Sequence, residues 1–455
     1  MTKSNMAAVI LAAGEGTRMK SVLPKVLHPI AGQSMVGHLI NRLSAIETER
    51  IVAVTSPGLR EEIEVFPSIE IAIQDPPLGT AHAVLAAEEP LKGFEGDVLV
   101  LFGDTPLLTE GTIQAMVEVR RGKNNPAVVV LGFSPDDPGE YGRLVKDVNG
   151  GLEKIVEFCD ANEDERKNGL CNAGIMAIDG KRLFQLLHEV ADNNAKSEFF
   201  LTDIVGIARS KGWGCLVLET DDPDEVMGVN SRTGLAEAES AFQYRMRLSA
   251  MESGVTLQDP DTVWFSFDTQ IGKDVVIGPN VVFGPGVIIG DNVEIRAFCH
   301  IEGARIDKNA IIGPFARLRQ GTNIGPDAQI GNFVEVKEAR FDQGAKANHL
   351  SYIGDSRVGA GANIGAGTIT CNYDGFLKSH TEIGAGAFIG SNTSLVAPVK
   401  INAGAITGAG SVITKDVEDN ALAISRAPQE EHKGWALKYR LRKQANKDKM
   451  EKKAE

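Results

Sequence analysis

An aliphatic residue recurs at nearly every sixth position in the second half of the chain. The series begins at Ile271 (IGKDVV, IGPNVV, FGPGVI, IGDNVE, IRAFCH), resumes at Ile306 and returns at Ile383, which gives fifteen hexads in nearly constant phase. This period is the signature of a parallel β-helix, in which the aliphatic side chain points inward and glycine permits the tight turns. Because each coil buries the face of the next, the repeat predicts an all-β, left-handed parallel β-helix.

The longest departure from the repeat runs from Arg340 to about Thr381 and contains KANHLSYIGD (346–355) and NIGAGTITCNYDG (363–375). A repeat is disrupted only at some cost in packing, so we expect chemistry here. His349 is the natural general base, because an imidazole with a pKa of about 6.5 accepts a proton from an attacking amine near neutral pH. The alternative for a single histidine is a structural hydrogen bond.

Four other polar side chains on this half are candidates to bind a sugar phosphate. Two cations on coils that precede His349 are suited to the phosphate, and two hydrogen-bonding side chains after it are suited to the sugar. They are Arg319 and Lys337 for the phosphate, and Tyr352 and Asn363 for the sugar.

The first half of the chain alternates apolar strands with amphipathic helices. Apolar side chains at helical spacing predict a helix over 36–43, between the first two strands. Continuous apolar strands between such helices indicate a parallel α/β sheet that is covered on both faces. Ligands of such sheets bind beyond the carboxyl ends of the strands. The predicted strands are 7–13, 51–54, 97–104 and 127–133.

The segment LAAGEGTRMKSVLPK (11–25) lies at such a strand end. A glycine turn there exposes backbone N–H groups that bind phosphate oxygens, and Arg18 and Lys25 can neutralise the phosphate charge. The spacing is not that of a P-loop. Taken alone, the segment is equally compatible with a glycine turn that carries solvated cations.

A second strand end carries a carboxylate. Asp104 follows the buried strand of LFGDTPL (101–107), and Asn230 in GVN (228–230) supplies a further oxygen ligand. Magnesium binds carboxylates and phosphates together, so these two residues are the candidate Mg²⁺ ligands.

Several of these motifs together resemble the sugar-1-phosphate nucleotidyltransferases. The motifs are L-A-A-G-x-G-T-R-M with L-P-K, IQDPPLGTAHA, GDTPL, YGRLV, IVEFCDA and NAGIMAI. The resemblance implies a Rossmann-like α/β nucleotidyltransferase domain that transfers a uridylyl group from UTP to a sugar phosphate and releases pyrophosphate. Phe102 is a departure, because the family pattern leads us to expect Tyr before Gly-Asp, and it removes a hydroxyl contact.

The same resemblance makes IQDPPLGTAHA (73–83) the loop that reads the uracil base, and it implies roles for individual residues. Lys25 and Arg18 would act on the phosphates, while Asp104 and Asn230 would bind Mg²⁺, with Asn230 also near the nucleotide. The nucleotide would be held by Leu11, Ala12, Ala13, Gly14, Lys25, Gln74, Gly79 and Thr80, and the sugar by Gly142, Glu157 and Asn172.

The second half resembles the acetyltransferase part of a bacterial bifunctional family that joins N-acetylglucosamine-1-phosphate uridylyltransferase to glucosamine-1-phosphate N-acetyltransferase. GPFARLR, GNFVE, GAGTITCNYDG, LVAPV and ALAISR carry this resemblance, which extends from Ala7 to about Trp435. It implies His349 as the base and Arg319, Lys337, Tyr352 and Asn363 as ligands of the sugar phosphate. Acetyl-CoA would be bound by Ala366, Asn372, Tyr373, Ser391, Ala409 and Arg426. SHTEIG is a further departure, because the family usually has Lys or Phe before the Thr.

The family resemblance further implies the order of reactions and the assembly. Acetyl-CoA first acetylates glucosamine 1-phosphate, and the resulting N-acetylglucosamine 1-phosphate is then converted with UTP to UDP-N-acetylglucosamine. That product feeds peptidoglycan and lipopolysaccharide precursors. The family is homotrimeric through its β-helices, and the acetyl site is shared between subunits.

Three segments follow from this organisation. We expect a nucleotidyltransferase domain over 1–232, a helical linker over 233–253, and a β-helix acetyltransferase domain with a basic tail over 254–455. The linker expectation rests on a proline-free run of helix formers at 233–251.

Charge and cysteine content narrow the possible partners and the compartment. The formal net charge is −14; residues 432–455 hold nine Lys/Arg and three Asp/Glu, so the rest of the chain is at −20 and is not a nucleic-acid binder by charge. The basic tail is more often a solvated segment than a ligand site. Five cysteines without a C-x-x-C pair indicate reduced thiols and a cytoplasmic protein. Cys371, inside the acetyl-CoA loop, is expected to be a packing residue. No run of about 20 apolar residues is present, so we expect no membrane span.

Two other interpretations remain open from the sequence. The first is a nucleotidyltransferase with one activity and a short regulatory β-helix, of the ADP-glucose or GDP-mannose pyrophosphorylase type; about 200 residues of β-helix and His349 weigh against it. The second is a non-enzymatic regulatory scaffold, which predicts the loss of Lys25, Asp104 or His349, and all three are present.

Overall fold

The computed structural model describes residues 5–14, 16–67, 69–192 and 197–454. Glu15 of the predicted phosphate loop, and the predicted domain ends at residues 1 and 455, therefore lie outside the described residues. The chain divides into two units: unit 1 comprises the residues up to Thr269 together with Phe283–Gly286, and unit 2 comprises Gln270–Val282 and the residues from Val287 onward. Within the described residues, no helix combines the length and the apolar character that crossing a bilayer requires.

Unit 1 is built around a nine-stranded α/β sheet that is flanked by helices, and it also contains three short strands outside that sheet. Its strands are β1 (Met6–Leu11), β2 (Pro29–Ile30), β3 (Gln33–Ser34), β4 (Arg50–Thr55), β5 (Glu70–Ile73), β6 (Asp97–Phe102), β7 (Val128–Phe133), β8 (Arg143–Lys146), β9 (Leu152–Val156), β10 (Cys171–Asp179), β11 (Cys215–Thr220) and β12 (Thr256–Leu257). Its helices are α1 (Met35–Ala45), α2 (Arg60–Glu64), α3 (Thr80–Leu85), α4 (Glu110–Arg120), α5 (Glu163–Arg166), α6 (Gly180–Leu187), α7 (Asp203–Ser210) and α8 (Arg232–Glu252).

The central strand β1 is buried on both faces. Ala7 and Val9 pack into one hydrophobic core, while Ala8 and Ile10 pack into another on the opposite face of the sheet. This alternation follows from the period of two along a strand, and it explains why the run is apolar at every position. The four strands predicted from the sequence are present as β1, β4, β6 and β7, and the predicted first helix is present as α1.

The sheet is mixed rather than wholly parallel. Its order is β11-β7-β10-β6-β1-β4-β5, and β10 runs antiparallel to both of its neighbours, β6 and β7. The expectation of a parallel sheet was wrong at this strand. The reason is the connection: the chain reaches β10 after the antiparallel pair β8–β9, which also contacts β10, instead of through a single helical crossover.

Helix α8 covers the predicted helix at 233–251 and begins with Ser231 as its N-cap, whose Oγ accepts a hydrogen bond from Gly234 N at 3.1 Å. Its Ala238 and Phe242 are buried in a cluster that includes residues of β2 and α1. The helix is therefore packed against unit 1 along part of its length. Whether the segments 1–232, 233–253 and 254–455 fold independently stays a prediction.

Unit 2 is a parallel β-helix of the left-handed hexapeptide class. Short strands repeat along it: β13 (Gln270–Ile271), β14 (Val276–Ile277), β15 (Val282–Phe283), β16 (Ile288–Ile289), β17 (Glu294–Ile295), β18 (His300–Ile301), β19 (Ala304–Ile306), β20 (Ile311–Ile312), β21 (Arg317–Leu318), β22 (Thr322–Ile324), β23 (Gln329–Asn332), β24 (Glu335–Phe341), β25 (Lys346–His349), β26 (Tyr352–Val358), β27 (Asn363–Ile364), β28 (Ile369–Cys371), β29 (Thr381–Ile383), β30 (Phe388–Ile389), β31 (Ser394–Val396), β32 (Val399–Ile401), β33 (Ile406–Thr407), β34 (Val412–Ile413) and β35 (Leu422–Ala423). A terminal helix, α9 (Trp435–Ala454), follows the last coil.

The coils continue through most of the region where the hexad repeat is lost. Inward positions there are taken by Ala347, Ile353, Val358 and Ile364, all of them buried. Alanine can occupy an inward position as well as a larger aliphatic residue can. The coil therefore continues although the sequence no longer has an aliphatic residue at every sixth position. The excursion from the coil is a loop after β28, closed by a bridge between Tyr373 and Lys378.

Candidate active sites

A cavity of about 360 Å³ lies beyond the carboxyl ends of β1 and β6. It is the position at which α/β sheets bind ligands. Most of the residues predicted to hold the nucleotide line this one cavity: Leu11, Ala12, Ala13, Gly14, Lys25, Gln74, Gly79 and Thr80, together with the predicted metal ligand Asp104.

The loop after β1 turns at Gly16, which has φ of 60°. A Cβ at this position would lie 2.5 Å from Lys25 Cβ, so the close approach of Lys25 requires glycine. Met19, two residues on from the start of the turn Thr17–Met19, is buried and anchors the loop. Arg18 is exposed, and it is not among the residues that line the cavity.

Lys25 connects the two predicted metal ligands. Its ammonium forms an ion pair with Asp104 Oδ2 and donates a hydrogen bond to Asn230 Oδ1 at 3.1 Å. Only 15% of the Lys25 side chain and 14% of the Asp104 side chain are exposed. Residues from three distant segments of the sequence thus bring one cation and two oxygen ligands to the edge of the cavity.

The segment predicted to read the base is fixed by internal hydrogen bonds. Gln74 is buried, and its Nε2 donates to Gly79 O at 3.0 Å. Gly79 has φ of 118°, and a Cβ there would lie 2.5 Å from the carbonyl oxygen of Phe199, which requires glycine. Thr80 Oγ1 accepts a hydrogen bond from Leu201 N at 2.9 Å. The segment around residues 199–201 therefore holds the base-reading loop in place.

A second cavity, of about 260 Å³, is lined by Glu157 and Asn172, the predicted sugar ligands. Gly142, the third of them, does not line it but lies beside both: its carbonyl oxygen accepts from Asn172 N at 2.8 Å, and a Cβ on it would lie 3.5 Å from Glu157 Oε2. The two cavities share lining residues and so adjoin. Those shared residues are Thr80, Phe102 and Glu198.

Phe102, the departure noted in the sequence, stands between the two cavities. Its ring packs against Gly174, which has φ of 80° and where an added Cβ would lie 2.7 Å from the ring. The side chain therefore packs against a glycine that leaves room for its ring. Where a tyrosine would offer a hydroxyl, this chain offers an apolar surface to the ligand.

In unit 2, five residues occupy one position on successive coils: Asn332, His349, Ala366, Ser391 and Ala409. Backbone hydrogen bonds connect each member to the next. The residue that directly follows the later member donates its N–H to the carbonyl oxygen of the earlier member, at 2.7 to 3.3 Å. We call this set the His349 column. It brings the predicted base into line with three of the predicted acetyl-CoA ligands.

His349 is oriented by a neighbour on the preceding coil. Its Nδ1 lies 2.7 Å from Asn332 Oδ1. A carboxamide oxygen only accepts hydrogen bonds, so the contact requires the Nδ1–H tautomer and leaves Nε2 free to accept a proton. Asn332 did not emerge from the sequence, because its partner lies 17 residues away and the contact depends on the coil length.

A cluster of cations lies on the face that carries Tyr352. Arg319 forms an ion pair with Glu335 at 2.9 Å, and Lys337 lies one coil further on. Lys378, on the loop after β28, lies beside Lys337, and this proximity lowers the pKa of Lys337 and raises that of Lys378. Two lysine side chains brought this close are suited to a multiply charged anion such as a phosphate. The sequence did not single out Lys378, since it sits on an irregular loop.

The remaining predicted ligands are placed as follows. Asn363 lies in the ten-stranded sheet next to β25, whereas Tyr352 lies in the fourteen-stranded sheet. Asn372 is buried and its Nδ2 contacts Asp355 and, at 3.4 Å, Tyr352 Oη. Tyr373 Oη donates to a loop carbonyl at 2.6 Å, and Arg426 Nη1 donates to Ala409 O at 2.6 Å.

Comparisons with known proteins match both units. Residues 8–154 match the family model of the MobA-like NTP transferase domain, and residues 268–303 and 380–415 match that of the bacterial transferase hexapeptide repeats. The chain is 57% identical over 454 residues to the bifunctional protein GlmU of Paramagnetospirillum magneticum, covering 99% of this chain and 100% of that protein. It is 59% identical over 440 residues to that of Rhodospirillum rubrum, covering 97% and 98%.

The chain belongs to the GlmU family. A third relative, the bifunctional protein GlmU of Zymomonas mobilis, is 50% identical over 442 residues, with 96% of this chain and 98% of that protein covered. The similarity to bifunctional GlmU proteins extends over the full length of the chain and covers both the nucleotidyl-transfer unit and the hexapeptide-repeat unit. It rules out both alternatives, the nucleotidyltransferase with one activity and the non-enzymatic regulatory scaffold.

The structure also shows which side chains at the candidate sites sequence reasoning missed. Glu198 and Thr202 line the cavity that contains the predicted sugar ligands, Asn332 contacts His349, and Lys378 joins the cation cluster. None of the four stands in a short motif that is recognisable by spacing. Each is brought to its site by a loop or by the coil register, so only the folded structure reveals its position at the site.

Proposed function

We propose that this member of the GlmU family carries out its two reactions at two separate sites, one in each unit. Acetyl transfer from acetyl-CoA to glucosamine 1-phosphate takes place at the His349 column, and uridylyl transfer from UTP to N-acetylglucosamine 1-phosphate takes place at the paired cavities of unit 1. The observation that carries the proposal is that each unit gathers its own set of candidate groups. In unit 1 these are a nucleotide cavity, a sugar cavity and a charged cluster; in unit 2 they are an oriented histidine and a cation cluster.

In uridylyl transfer, a phosphate oxygen of the sugar phosphate attacks the α-phosphorus of UTP, the bond from that phosphorus to the bridging oxygen of the β-phosphate breaks, and pyrophosphate leaves. Positioning and charge stabilisation supply most of the rate of such a reaction. The loop after β1 presents its N–H groups to the phosphates, and Lys25 neutralises charge. Gln74 and Gly79 hold the base, while Glu157 and Asn172 hydrogen-bond the sugar. Arg18, which is exposed on the same loop, would also act on the phosphates.

The donor set of unit 1 suits Mg²⁺. Asp104 and Asn230 offer one carboxylate and one amide oxygen, and both already approach the same ammonium, that of Lys25. Mg²⁺ prefers one or two such protein ligands together with phosphate oxygens and waters. When bound, Mg²⁺ would supply positive charge to the phosphates. Lys25, beside the same two oxygens, would add its own positive charge at the phosphates.

In acetyl transfer, the amine nitrogen of glucosamine 1-phosphate attacks the thioester carbonyl of acetyl-CoA. His349 Nε2 accepts a proton from the nitrogen, the C–S bond breaks, and the CoA sulfur leaves and takes up a proton. Asn332 holds the imidazole in the tautomer that this role requires. The phosphate of the substrate binds Arg319 and Lys337, with Tyr352 and Asn363 on the sugar. Ala366, Asn372, Tyr373, Ser391, Ala409 and Arg426 bind acetyl-CoA.

We further propose a homotrimer that is assembled through the β-helices. Phe298, Phe315 and Phe333 stack on successive coils with ring centroids 4.8 and 5.1 Å apart, and 51%, 44% and 55% of their surfaces are exposed. Each has φ between 54° and 61°, an uncommon conformation for a bulky residue. An exposed aromatic ladder held in this conformation is suited to burial against another copy of the chain. Phe333 adjoins Asn332 of the His349 column, so a partner here would border the acetyl site.

The compartment and the fate of the product complete the proposal. All five cysteines are free in the structure, and three of them, Cys171, Cys215 and Cys299, are buried. Buried thiols without a disulfide are typical of reducing compartments, which supports a cytoplasmic enzyme. Its product, UDP-N-acetylglucosamine, supplies precursors of peptidoglycan and lipopolysaccharide.

A coupled assay tests the proposal. Purified protein receives glucosamine 1-phosphate, acetyl-CoA, UTP and MgCl₂, and thiol release and pyrophosphate release are followed separately. We expect both signals, with pyrophosphate release dependent on acetyl-CoA. Pyrophosphate released from N-acetylglucosamine 1-phosphate without any thiol release from glucosamine 1-phosphate would contradict the assignment of acetyl transfer to unit 2.

A further inference from the structure

Helix α8 contacts both of the segments that carry the candidate metal ligands. Arg245 Nη1 donates a hydrogen bond to Leu107 O at 2.7 Å, and its Nη2 pairs with Asp222 Oδ2 at 2.8 Å. Leu107 lies three residues after Asp104 in the chain, and Asp222 lies eight residues before Asn230. One planar guanidinium therefore spans the two segments, and its fork geometry suits two such contacts at once.

The loop after Asp104 is held from a second direction as well. Arg42 on α1 donates through Nη1 to Pro106 O at 2.7 Å and also to Leu108 O. Burial of Arg42, with the nearby Arg245 charge, lowers its pKa to about 10, so it remains a cation at neutral pH. The two arginines together satisfy three consecutive backbone carbonyls, which leaves the loop little freedom to move.

The two segments also meet directly. Val229 N donates to Asp104 O at 2.9 Å. The side chains of Leu107 and Val229 are fully buried in one cluster with Ala238 and Phe242 of α8. This apolar cluster already joins α8 to both segments, and the partly exposed Arg245 lies on the same helix beside it.

We propose that Arg245 is a positioning residue for uridylyl transfer, which fixes the segments of Asp104 and Asn230 relative to each other so that both oxygens face one cation. The inference rests on the proposed function, in which these two side chains bind Mg²⁺. Loops that carry ligands lose affinity when their relative position is free to vary, because ordering them then costs entropy on binding. Helix α8 is accordingly part of the catalytic unit and not only a connection.

The test uses the full-length chain and three variants. Arg245→Gln removes the charge and one arm of the fork, and Arg245→Lys keeps the charge. Arg247→Gln is the matched control, because Arg247 is on the same helix and also donates to a backbone carbonyl, that of Val263 at 3.0 Å, away from both loops. Mn²⁺ binding in the presence of UDP-N-acetylglucosamine is measured by electron paramagnetic resonance. The Mg²⁺ dependence of uridylyl transfer and the rate of acetyl transfer are measured in parallel.

We expect Arg245→Gln to weaken Mn²⁺ binding and raise the half-saturating Mg²⁺ concentration by about tenfold, the range of one lost charge-assisted hydrogen bond. Arg245→Lys should recover part of that loss, and Arg247→Gln should behave as the wild type. Acetyl transfer, at the other site, should be unchanged in all three, and a cooperative urea unfolding transition followed by the fluorescence of Trp213 and Trp264 in a Trp435→Phe background reports that unit 1 is folded.

Wild-type Mn²⁺ affinity in Arg245→Gln would overturn the inference, as would an equal loss in Arg247→Gln. If Arg245→Gln does not fold, as judged by loss of the unfolding transition of unit 1, Arg245→Lys decides: weaker Mn²⁺ binding than in the wild type supports the inference, because one ammonium cannot make both contacts of the guanidinium, and wild-type Mn²⁺ affinity overturns it. Failure of the proposed function would look different: Asp104→Ala would then bind Mn²⁺ as tightly as the wild type.

Discussion

Asn332 Oδ1 lies 2.7 Å from His349 Nδ1, one coil away along the β-helix. The contact exists because residues 332 and 349 face each other in the pairing of β23 with β25. A hydrogen bond to one ring nitrogen determines which nitrogen can act as a base. The register of two short strands therefore determines the chemistry available to the histidine.

Replacing Asn332 with Ala should lower kcat of acetyl transfer by about tenfold, the range expected when one orienting hydrogen bond is lost. The pH profile of kcat/KM should also shift, since the imidazole loses the partner that favours its reactive tautomer. Steady-state rates between pH 6 and 9 check both effects. Asn323→Ala, which removes an exposed asparagine on another face, is the control. An unchanged rate and pH profile in Asn332→Ala would contradict the role of Asn332.

Replacing Lys378 with Met should raise KM for glucosamine 1-phosphate by about tenfold while kcat changes little, because a cation that binds the phosphate is lost. The proximity of Lys378 lowers the pKa of Lys337. Its removal should therefore move the alkaline rise of KM to higher pH. Initial rates over a range of substrate and pH measure both. Lys400→Met, an exposed lysine on β32, should leave KM unchanged. A KM equal to that of wild type in Lys378→Met would exclude the residue from the phosphate site.

His38 should make unit 1 less stable as the pH falls. It is buried, and desolvation lowers its pKa to about 4, although its Nε2 donates to Ile30 O at 2.9 Å. Below pH 6.5 the unfolded chain therefore binds a proton that the folded chain does not. The free energy of unfolding should fall by about 2 kcal/mol between pH 6.5 and 5, and the loss should level off below pH 4.

Urea unfolding at pH 8, 6.5 and 5 measures this loss. In a Trp435→Phe background, fluorescence comes from Trp213 and Trp264, both in unit 1. His38→Gln keeps a donor but does not titrate, so the difference between wild type and variant cancels the contribution of the carboxylates. A difference that does not change with pH would show that the pKa of His38 is not depressed.

Phe315→Asn should dissociate the proposed trimer, because it removes the middle ring of the exposed stack. Asparagine tolerates positive φ, so this change relieves backbone strain and isolates the loss of the aromatic contact. Light scattering coupled to size exclusion gives the mass. Tyr244→Glu, an exposed aromatic on α8, is the control. A monomeric wild type at micromolar concentration, or a trimeric Phe315→Asn, would contradict the assembly proposed here.

The β-helix and the central strands could be predicted because their signals are local. A period of six leads to a coil, and a run such as that at Ala7 to Ile10 leads to a strand that is buried on both faces. The candidate nucleotide site was also predictable, since strand ends of one sheet converge and the glycine loop, Gln74 and Asp104 all follow strands.

The rest depended on contacts that sequence spacing does not encode. The antiparallel direction of β10 results from its connection, and the persistence of coils past Arg340 results from alanine taking an inward position. Asn332 and Lys378 reach their partners through coil register and an irregular loop. The packing of α8 depends on Phe242 meeting apolar side chains more than a hundred residues away in the chain.

The central claim is that two independent active sites lie in one chain, and two variants test it most directly. Asp104→Ala and His349→Ala are each assayed separately with glucosamine 1-phosphate, acetyl-CoA, UTP and MgCl₂. An equimolar mixture of the two variants is then assayed with the same substrates for formation of UDP-N-acetylglucosamine. We predict that Asp104→Ala releases thiol at the wild-type rate but releases less than about 1% of the wild-type pyrophosphate. We predict that His349→Ala acetylates glucosamine 1-phosphate at least about a hundredfold more slowly than the wild type, yet converts added N-acetylglucosamine 1-phosphate at the wild-type rate. The mixture should restore the complete reaction. Loss of both activities in either variant, or no product from the mixture, would contradict two independent sites.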